Sequence, residues 1–403
     1  MDTKAATTAL TDVHNVTVTE AALRAHVIRP AHTEGIISSK GLEEGERQIF
    51  HFPPAPAWHF DVNGFGQALH AGLKDSVAGY VMELRQHGKV IYTLQWNWAK
   101  APVDGAEGWN PNVRMHIASC SKLVTAVAMT RLLNEKHISF DTPIVNHLPA
   151  YWAKGPNIGK ITFRHLMTHT SGFNTGSSAS DFGFMKSHVA AGVTGVGQYH
   201  YQNMNFALCR ILIATINGNI AVGANFGIPL LPNINDVFWD FVTIQAYAKY
   251  CQDHLFAPSG VSGPSLDHPN PDALAYKFPV NGPGWNSGDL SSMSGGAGWH
   301  MSPNDLLSVM GAFRRNNNIM STAQAQTMLD NSFGIDMTLQ TPLGKLYNKN
   351  GLWQNGSGQI EQSLAYFLPQ DMELVVLTNS PIGAGNQFFR DVVTNLITAN
   401  IKS

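Results

Sequence analysis

The chain has 403 residues, 44% of them hydrophobic and 10% aromatic, enough to bury one large core or two moderate ones and too many for a disulfide-stapled mini-protein. Only 13% are Asp, Glu, Lys or Arg, about half the usual ~25%, which excludes charge-driven disorder. With 26 basic against 28 acidic side chains, no electrostatic excess exists to hold a phosphate backbone or anionic lipid, which argues against nucleic acid and membrane as partners.

Residues 1–60, interrupted by Pro30, Pro53, Pro54 and Pro56, read as an N-terminal extension. Residues 1–12 lack the apolar stretch of a secretory signal, and no window reaches about 18 uninterrupted apolar residues, so the expected location is cytoplasmic. Helical spacing over 65–74 leads into strands at 77–84 and 90–94 around His87-Gly88, a hairpin. From Cys120 to Lys136, Leu123, Val124, Val127, Met129, Leu132 and Leu133 occupy more than one face, which predicts a helix buried inside the protein. Residues 140–300 are rich in Pro, Gly and Asn, with helical stretches near 206–216 and 241–255. Strands at 363–367 and 373–378 flank residues 369–372, and 388–401 reads as a closing helix. The pattern predicts an α/β (α+β) fold in which an antiparallel sheet is assembled from 61–118 and 300–403, with a mainly helical region over 119–299, in one composite catalytic domain.

Zinc-peptidase, P-loop, dinucleotide and G-x-S-x-G signatures are absent from the sequence, so neither metal nor cofactor is expected. Cys120, Cys209 and Cys251 are an odd number without C-x-x-C spacing, which fits neither a disulfide framework nor a thiolate zinc site. His165 and His169 stand one helical turn apart without an acidic third ligand and read as structural.

Three short motifs carry chemistry. Among the lysines, only Lys122 has a serine three positions before it, in Ser119-Cys120-Ser121-Lys122. At this spacing the amine and hydroxyl share a face, and the start of a buried helix disfavours the ammonium and offers free N–H groups to an oxyanion. Taken alone, the stronger reading is that Ser119 caps the helix and Lys122 is solvated. Tyr201-Gln202-Asn203 precedes the 206–213 helical run; its phenol could shuttle a proton and its amide could bind substrate, or the tyrosine packs in a loop and the asparagine caps the helix. Lys349-Asn350-Gly351 precedes Leu352-Trp353, where a glycine lets a strand edge approach a substrate, or forms an Asn-Gly turn beside an exposed lysine.

Order and context decide between these readings. Residues 115–122 (Met-His-Ile-Ala-Ser-Cys-Ser-Lys), 161–173, Tyr201-Gln202-Asn203, 295–306 and 374–380 occur in one sequence. Together, from about 65 to 400, they resemble the β-lactamase-related serine hydrolases: class C β-lactamases, D-Ala-D-Ala carboxypeptidases, family VIII-type esterases and acyltransferases. The resemblance implies a β-lactamase/transpeptidase-like fold, with Ser119 as acylated nucleophile, Lys122 as its activating neighbour and Tyr201 as proton shuttle. It further implies that Asn203 contacts substrate and that the N–H groups of Ser119 and Leu352 form an oxyanion hole. Lys349, Gly351, Leu352 and Trp353 then line the substrate site, although Lys-Asn-Gly replaces the Lys-Thr-Gly of the β-lactamases and the His-x-Gly of many esterases. His169 and Ser171 belong to a structural turn.

The implied reaction is hydrolysis of a small-molecule ester through an acyl-enzyme. Acyl transfer or amide hydrolysis by the same residues is the alternative, a catalytically silent binding protein is the rival from another class, and homo-oligomerisation is left open. Residues 219–240, including Phe226, Phe238 and Trp239, are longer than expected and read as an apolar wall or lid over the acyl pocket, with a dimer contact or core packing as the alternatives.

Overall fold

The computed structural model describes residues 13–16, 26, 58–226, 233–315, 317–383 and 388–403. Most of the 1–60 extension and residues 227–232 of the long stretch lie outside the described residues. Two units are distinct: Glu34–Leu123, Ser259–Asp289 and Trp299–Ser403 form one, and Met1–Thr33, Val124–Pro258 and Leu290–Gly298 the other.

The first unit holds the strands β1 (His59–Phe60), β2 (Gly79–Gln86), β3 (Lys89–Lys100), β4 (Glu107–Gly108), β5 (Met115–His116), β6 (His300–Met301), β7 (Met337–Thr341), β8 (Gly344–Gln354), β9 (Ile360–Leu368), β10 (Met372–Thr378) and β11 (Ile401–Lys402). Seven form an antiparallel sheet in the order β4-β3-β2-β10-β9-β8-β7, while β1 pairs with β11 and β5 with β6. Strand β10 pairs with β2 along its whole length, Met372 opposite Gln86 and Thr378 opposite Tyr80, so strands distant in sequence are neighbours, as the sequence predicts. Both expected hairpins form. Each turns on two consecutive left-handed residues, His87 and Gly88 (φ 50° and 77°) and Gln370 and Asp371 (φ 59° and 57°), the geometry whose twist matches that of the flanking strands.

Strand alternation divides the sheet chemically. One face buries Tyr80, Met82, Leu84, Leu346, Leu364, Tyr366, Leu374 and Val376 against Phe65, Leu69 and Leu73 of the helix Val62–Leu73 and Phe389, Val393 and Ile397 of the helix Phe389–Ala399. Each such side chain contributes about 1.5–3 kcal/mol of burial. Asp61 caps the first of these helices, accepting from Gly64 N at 2.8 Å. On the other face of β8 and β9 the alternation brings out Lys349, Gly351, Trp353, Glu361 and Ser363, with Gly351 opposite Ser363 and Trp353 opposite Glu361. Pairing with β7 reaches only to Asn348, opposite Met337, and the described strand partners of residues 349–354 are in β9.

The second unit is helical, with Phe163–Met167, Phe182–Ala191, Asn203–Ile216 and Ile234–Cys251 among its helices. The last two are joined by a buried ion pair, Arg210 Nη2 to Asp240 Oδ1 at 2.8 Å, with both side chains at most 1% exposed. Arg210 also donates to Ser292 O and Ser294 Oγ, and His26 Nε2 lies 2.9 Å from Asp240 Oδ2. The glycines after Ser294 permit this close approach: a Cβ on Gly295 would stand 2.4 Å from Phe206 O. Residues 234–240 are the opening turns of the helix Ile234–Cys251, with Phe238 and Trp239 fully buried. Phe238 stacks on Phe226 and Trp239 Nε1 donates to Ala224 O at 3.1 Å, so the described part of the long stretch is core packing rather than a lid. Among the described residues no helix is long and apolar enough to cross a membrane.

Asp240→Ala strands a buried guanidinium, and the expected loss is about 3–5 kcal/mol. Pairing Asp240→Leu with Arg210→Met should restore most of it, both changes being read from the urea midpoint. A single variant as stable as the parent would show that the pair does not tie these helices together.

Candidate active site

Ser119 and Lys122 are brought together. Strand β5 pairs with β6, Ile117 N donates to Trp299 O at 2.9 Å, and Ile117 O accepts from Cys120 N at 3.0 Å and from Ser363 Oγ at 2.6 Å. The chain then turns through Ala118, whose φ of 46° is left-handed, a conformation costing an alanine roughly 1–2 kcal/mol. Ser119 lies in the 3-10 turn Ala118–Cys120, and the α-helix begins at Ser121, slightly later than expected, and runs to Glu135. All its residues from Ser121 to Thr130 are buried, as the many-faced apolar pattern predicts. Lys122 is 0% and Ser119 2% exposed, and Lys122 Nζ stands 2.8 Å from Ser119 Oγ. A solvated lysine is thereby excluded.

Burial sets the charge state. Desolvation, reinforced by the positive charge of Lys349, holds the Lys122 amine well below the ordinary lysine value of 10.5, with Asp336 and Cys120 pulling weakly the other way. Lys122 Nζ donates to Ser119 Oγ in this 2.8 Å contact, which puts amine and hydroxyl within proton-transfer reach. Cys120, next to Ser119, is held as an unreactive thiol: burial pushes it up to about 12, and its Sγ donates to Lys349 O at 3.3 Å.

The third motif packs on the same turn. A Cβ at Gly351 would lie 2.6 Å from Ile117 O, 2.8 Å from Ser119 N and 2.5 Å from Ser363 Oγ, so only glycine lets β8 run this close to the serine. Lys349 is not an exposed turn lysine. It is 1% exposed and donates to both oxygens of Asp336, at 2.7 and 2.8 Å. Leu352 follows on β8 with its side chain half-buried, and Trp353 is buried, edge-on to the His116 ring with centroids 5.4 Å apart.

Two buried acids escaped the sequence analysis. Asp336 is one; Glu361 is the other, its Oε2 3.1 Å from His116 Nδ1, with the side chains 3% and 0% exposed. Burial pushes the Glu361 carboxyl well up and pushes His116 down to about 3. Both shifts favour the uncharged forms, so the contact is a neutral hydrogen bond rather than an ion pair. The one local signal was a glutamate inside the apolar run 360–368.

Tyr201 and Asn203 lie in the helical unit. Tyr201 packs against His169 with ring centroids 4.3 Å apart and ring planes tilted by 33°, and His169 Nδ1 accepts from Gln202 N at 3.2 Å. Ser171 Oγ donates to Asn205 Oδ1 at 2.6 Å, so the expected turn at 169–171 supports the tyrosine segment. Asn203 begins the helix Asn203–Ile216. Its amide donates to Ser178 O at 2.7 Å, and its buried Oδ1 has no partner among the described residues. His165 serves a capping box with Thr162.

Comparison with known proteins agrees with this architecture. Residues 65–221 match the family model described as Beta-lactamase. Over 159 residues it is 23% identical to a penicillin-binding protein, PbpX, of Bacillus subtilis (38% of this chain, 33% of that protein). Over 110 residues it is 26% identical to the esterase EstB of Burkholderia gladioli (27% of each). The matched segments thus span a third or less of the length of these relatives. Staphylococcus aureus FmtA superposes with a TM-score of 0.62 at 14% identity, covering 96% of both chains. The fold is that of the β-lactamase and transpeptidase proteins.

Two outcomes follow from the geometry. Gly351→Ala forces the serine turn or β8 to shift, and should lower acylation of Ser119 by a reactive ester roughly 100-fold or more while the circular dichroism spectrum is retained. Lys122→Met removes the cost of a buried amine. Because the folded-state value is depressed, the unfolded chain binds the extra proton as pH falls below about 10.5. The variant should therefore gain about 1–4 kcal/mol near neutrality, a gain that vanishes as pH rises through that value. A gain independent of pH would contradict the neutral-lysine assignment.

Proposed function

We propose that the protein is a serine hydrolase acting through an acyl-enzyme on a carboxylic ester of a small molecule. The observation that carries this reading is the 2.8 Å contact between Ser119 Oγ and the fully buried amine of Lys122. A serine hydroxyl is a weak nucleophile at neutral pH and needs a base in contact. A lysine stripped of its charge by burial is such a base.

In this mechanism Lys122 takes the hydroxyl proton as Oγ bonds to the carbonyl carbon. The resulting oxyanion is held by the N–H groups of Ser119 and Leu352, with Gly351 providing the close approach of β8. Collapse breaks the bond to the alkoxy group, which leaves as the alcohol after receiving a proton through Tyr201 and Lys122. Water then attacks the acyl carbon, giving its proton to the same base; the acyl carbon–Oγ bond breaks, the base returns the proton to Ser119 Oγ, and the carboxylic acid is released. Asn203 contacts the substrate, and Trp353 bounds the site beside β8. An ester is the least demanding carbonyl for this machinery, and the likeness to an esterase supports that choice. Transfer to an alcohol or amine acceptor, or amide hydrolysis, uses the same steps with a different acceptor or leaving group.

Fluorophosphonate labelling followed by peptide mapping should place the adduct on Ser119. Ser119→Ala should lower p-nitrophenyl ester turnover by at least about 10³-fold, and Tyr201→Phe by roughly 10²–10⁴-fold. The acid limb of kcat/KM should lie well below 10.5, where Lys122 loses its proton. No adduct and no turnover in the parent enzyme would leave the silent binding protein as the correct reading.

A further inference from the structure

Lys349 and Gly351 are two residues apart on β8, so their side chains leave the same face of the strand. It is the face on which a Cβ at 351 would meet Ser119 N. A lysine so placed is suited to gripping a carboxylate on an acyl donor. Its charge, however, is already engaged. Both Asp336 oxygens accept from Lys349 Nζ, the two side chains are 1% and 3% exposed, and Asp336 Oδ2 also accepts from Asn350 N at 3.1 Å. The backbone contact holds the carboxylate in register with the lysine, so the pair is fixed at both ends. Lys122, close to the same turn, is fully buried, and burial disfavours its charge.

A substrate carboxylate brought to this face would be desolvated beside a pair whose net charge is zero. It would gain little Coulomb energy unless it displaced Asp336, which would leave that acid buried without its partner. An uncharged acyl group meets no such penalty. We propose that Asp336 is a specificity-determining residue that neutralises Lys349 and so reserves the site for acyl donors bearing no carboxylate. This rests on the acyl-enzyme reading and narrows it to uncharged esters or amides.

The test uses two esters with one leaving group and acyl ends of similar size, p-nitrophenyl isocaproate and p-nitrophenyl hydrogen succinate. The parent enzyme should favour the isocaproate in kcat/KM. Asp336→Asn keeps the size of the side chain but frees the Lys349 charge, and should move the ratio toward the succinate by roughly tenfold or more, chiefly through KM. Asp336→Asn paired with Lys349→Met removes both charges. Its ratio should return to within about threefold of the parent's, which keeps the idea testable if the single variant does not fold.

A parent enzyme that favours the succinate would overturn the proposal. So would an unchanged ratio in Asp336→Asn, or a double variant that loses succinate turnover selectively, since Lys349 would then be reading the carboxylate despite its partner. In all three cases Ser119 still acylates and the hydrolase reading stands. Absence of any Ser119 adduct from either ester or the fluorophosphonate removes that reading and this inference with it.

Discussion

The removal of one lysine amine from water governs the chemistry of this protein. A helix that is apolar on several faces can be surrounded on all sides, and Lys122 is carried inside with it. An ammonium taken into such a setting costs several kcal/mol, so the group sheds its proton instead. Burial thus weakens the hold of this amine on its proton, and the Ser119 hydroxyl lies 2.8 Å away.

The surroundings keep that state by avoiding net charge. Lys349 and Asp336 cancel each other, and Glu361 and His116 share a neutral hydrogen bond. A lone carboxylate in either place would favour the charged form of Lys122. The two pairs also do mechanical work: one anchors β8 where it passes the serine turn, and the other ties β9 to β5, three residues before Ser119. Ala118 keeps its left-handed conformation because Ile117 O is held by both Cys120 N and Ser363 Oγ.

Strand alternation lets one sheet serve two purposes. Its apolar face, packed by the helices Val62–Leu73 and Phe389–Ala399, supplies the burial that holds the unit together. The opposite face of β8 and β9 is thereby free to carry polar side chains toward the serine turn. Moving the β8 register by one residue would turn Gly351 into the helix-packed layer and present Leu352 to Ser119, so strand pairing and site geometry are one constraint.

The sequence by itself determined whatever depends on local period and spacing. The hairpins around His87-Gly88 and residues 369–372, the buried helix after Ser119 and the shared face of Ser119 and Lys122 were legible because each follows from neighbours along the chain. The sheet's assembly from distant segments was legible from strands at both ends with helices between them, and the particular fold through the ordered motifs. Only the tertiary structure decided that Lys349 faces Asp336 rather than solvent, that Glu361 meets His116, that Gly351 touches the serine turn, and that residues 234–240 open a core helix instead of a lid. Desolvation and charge pairing depend on groups brought together across the fold, and no local pattern in the chain encodes which of them will meet.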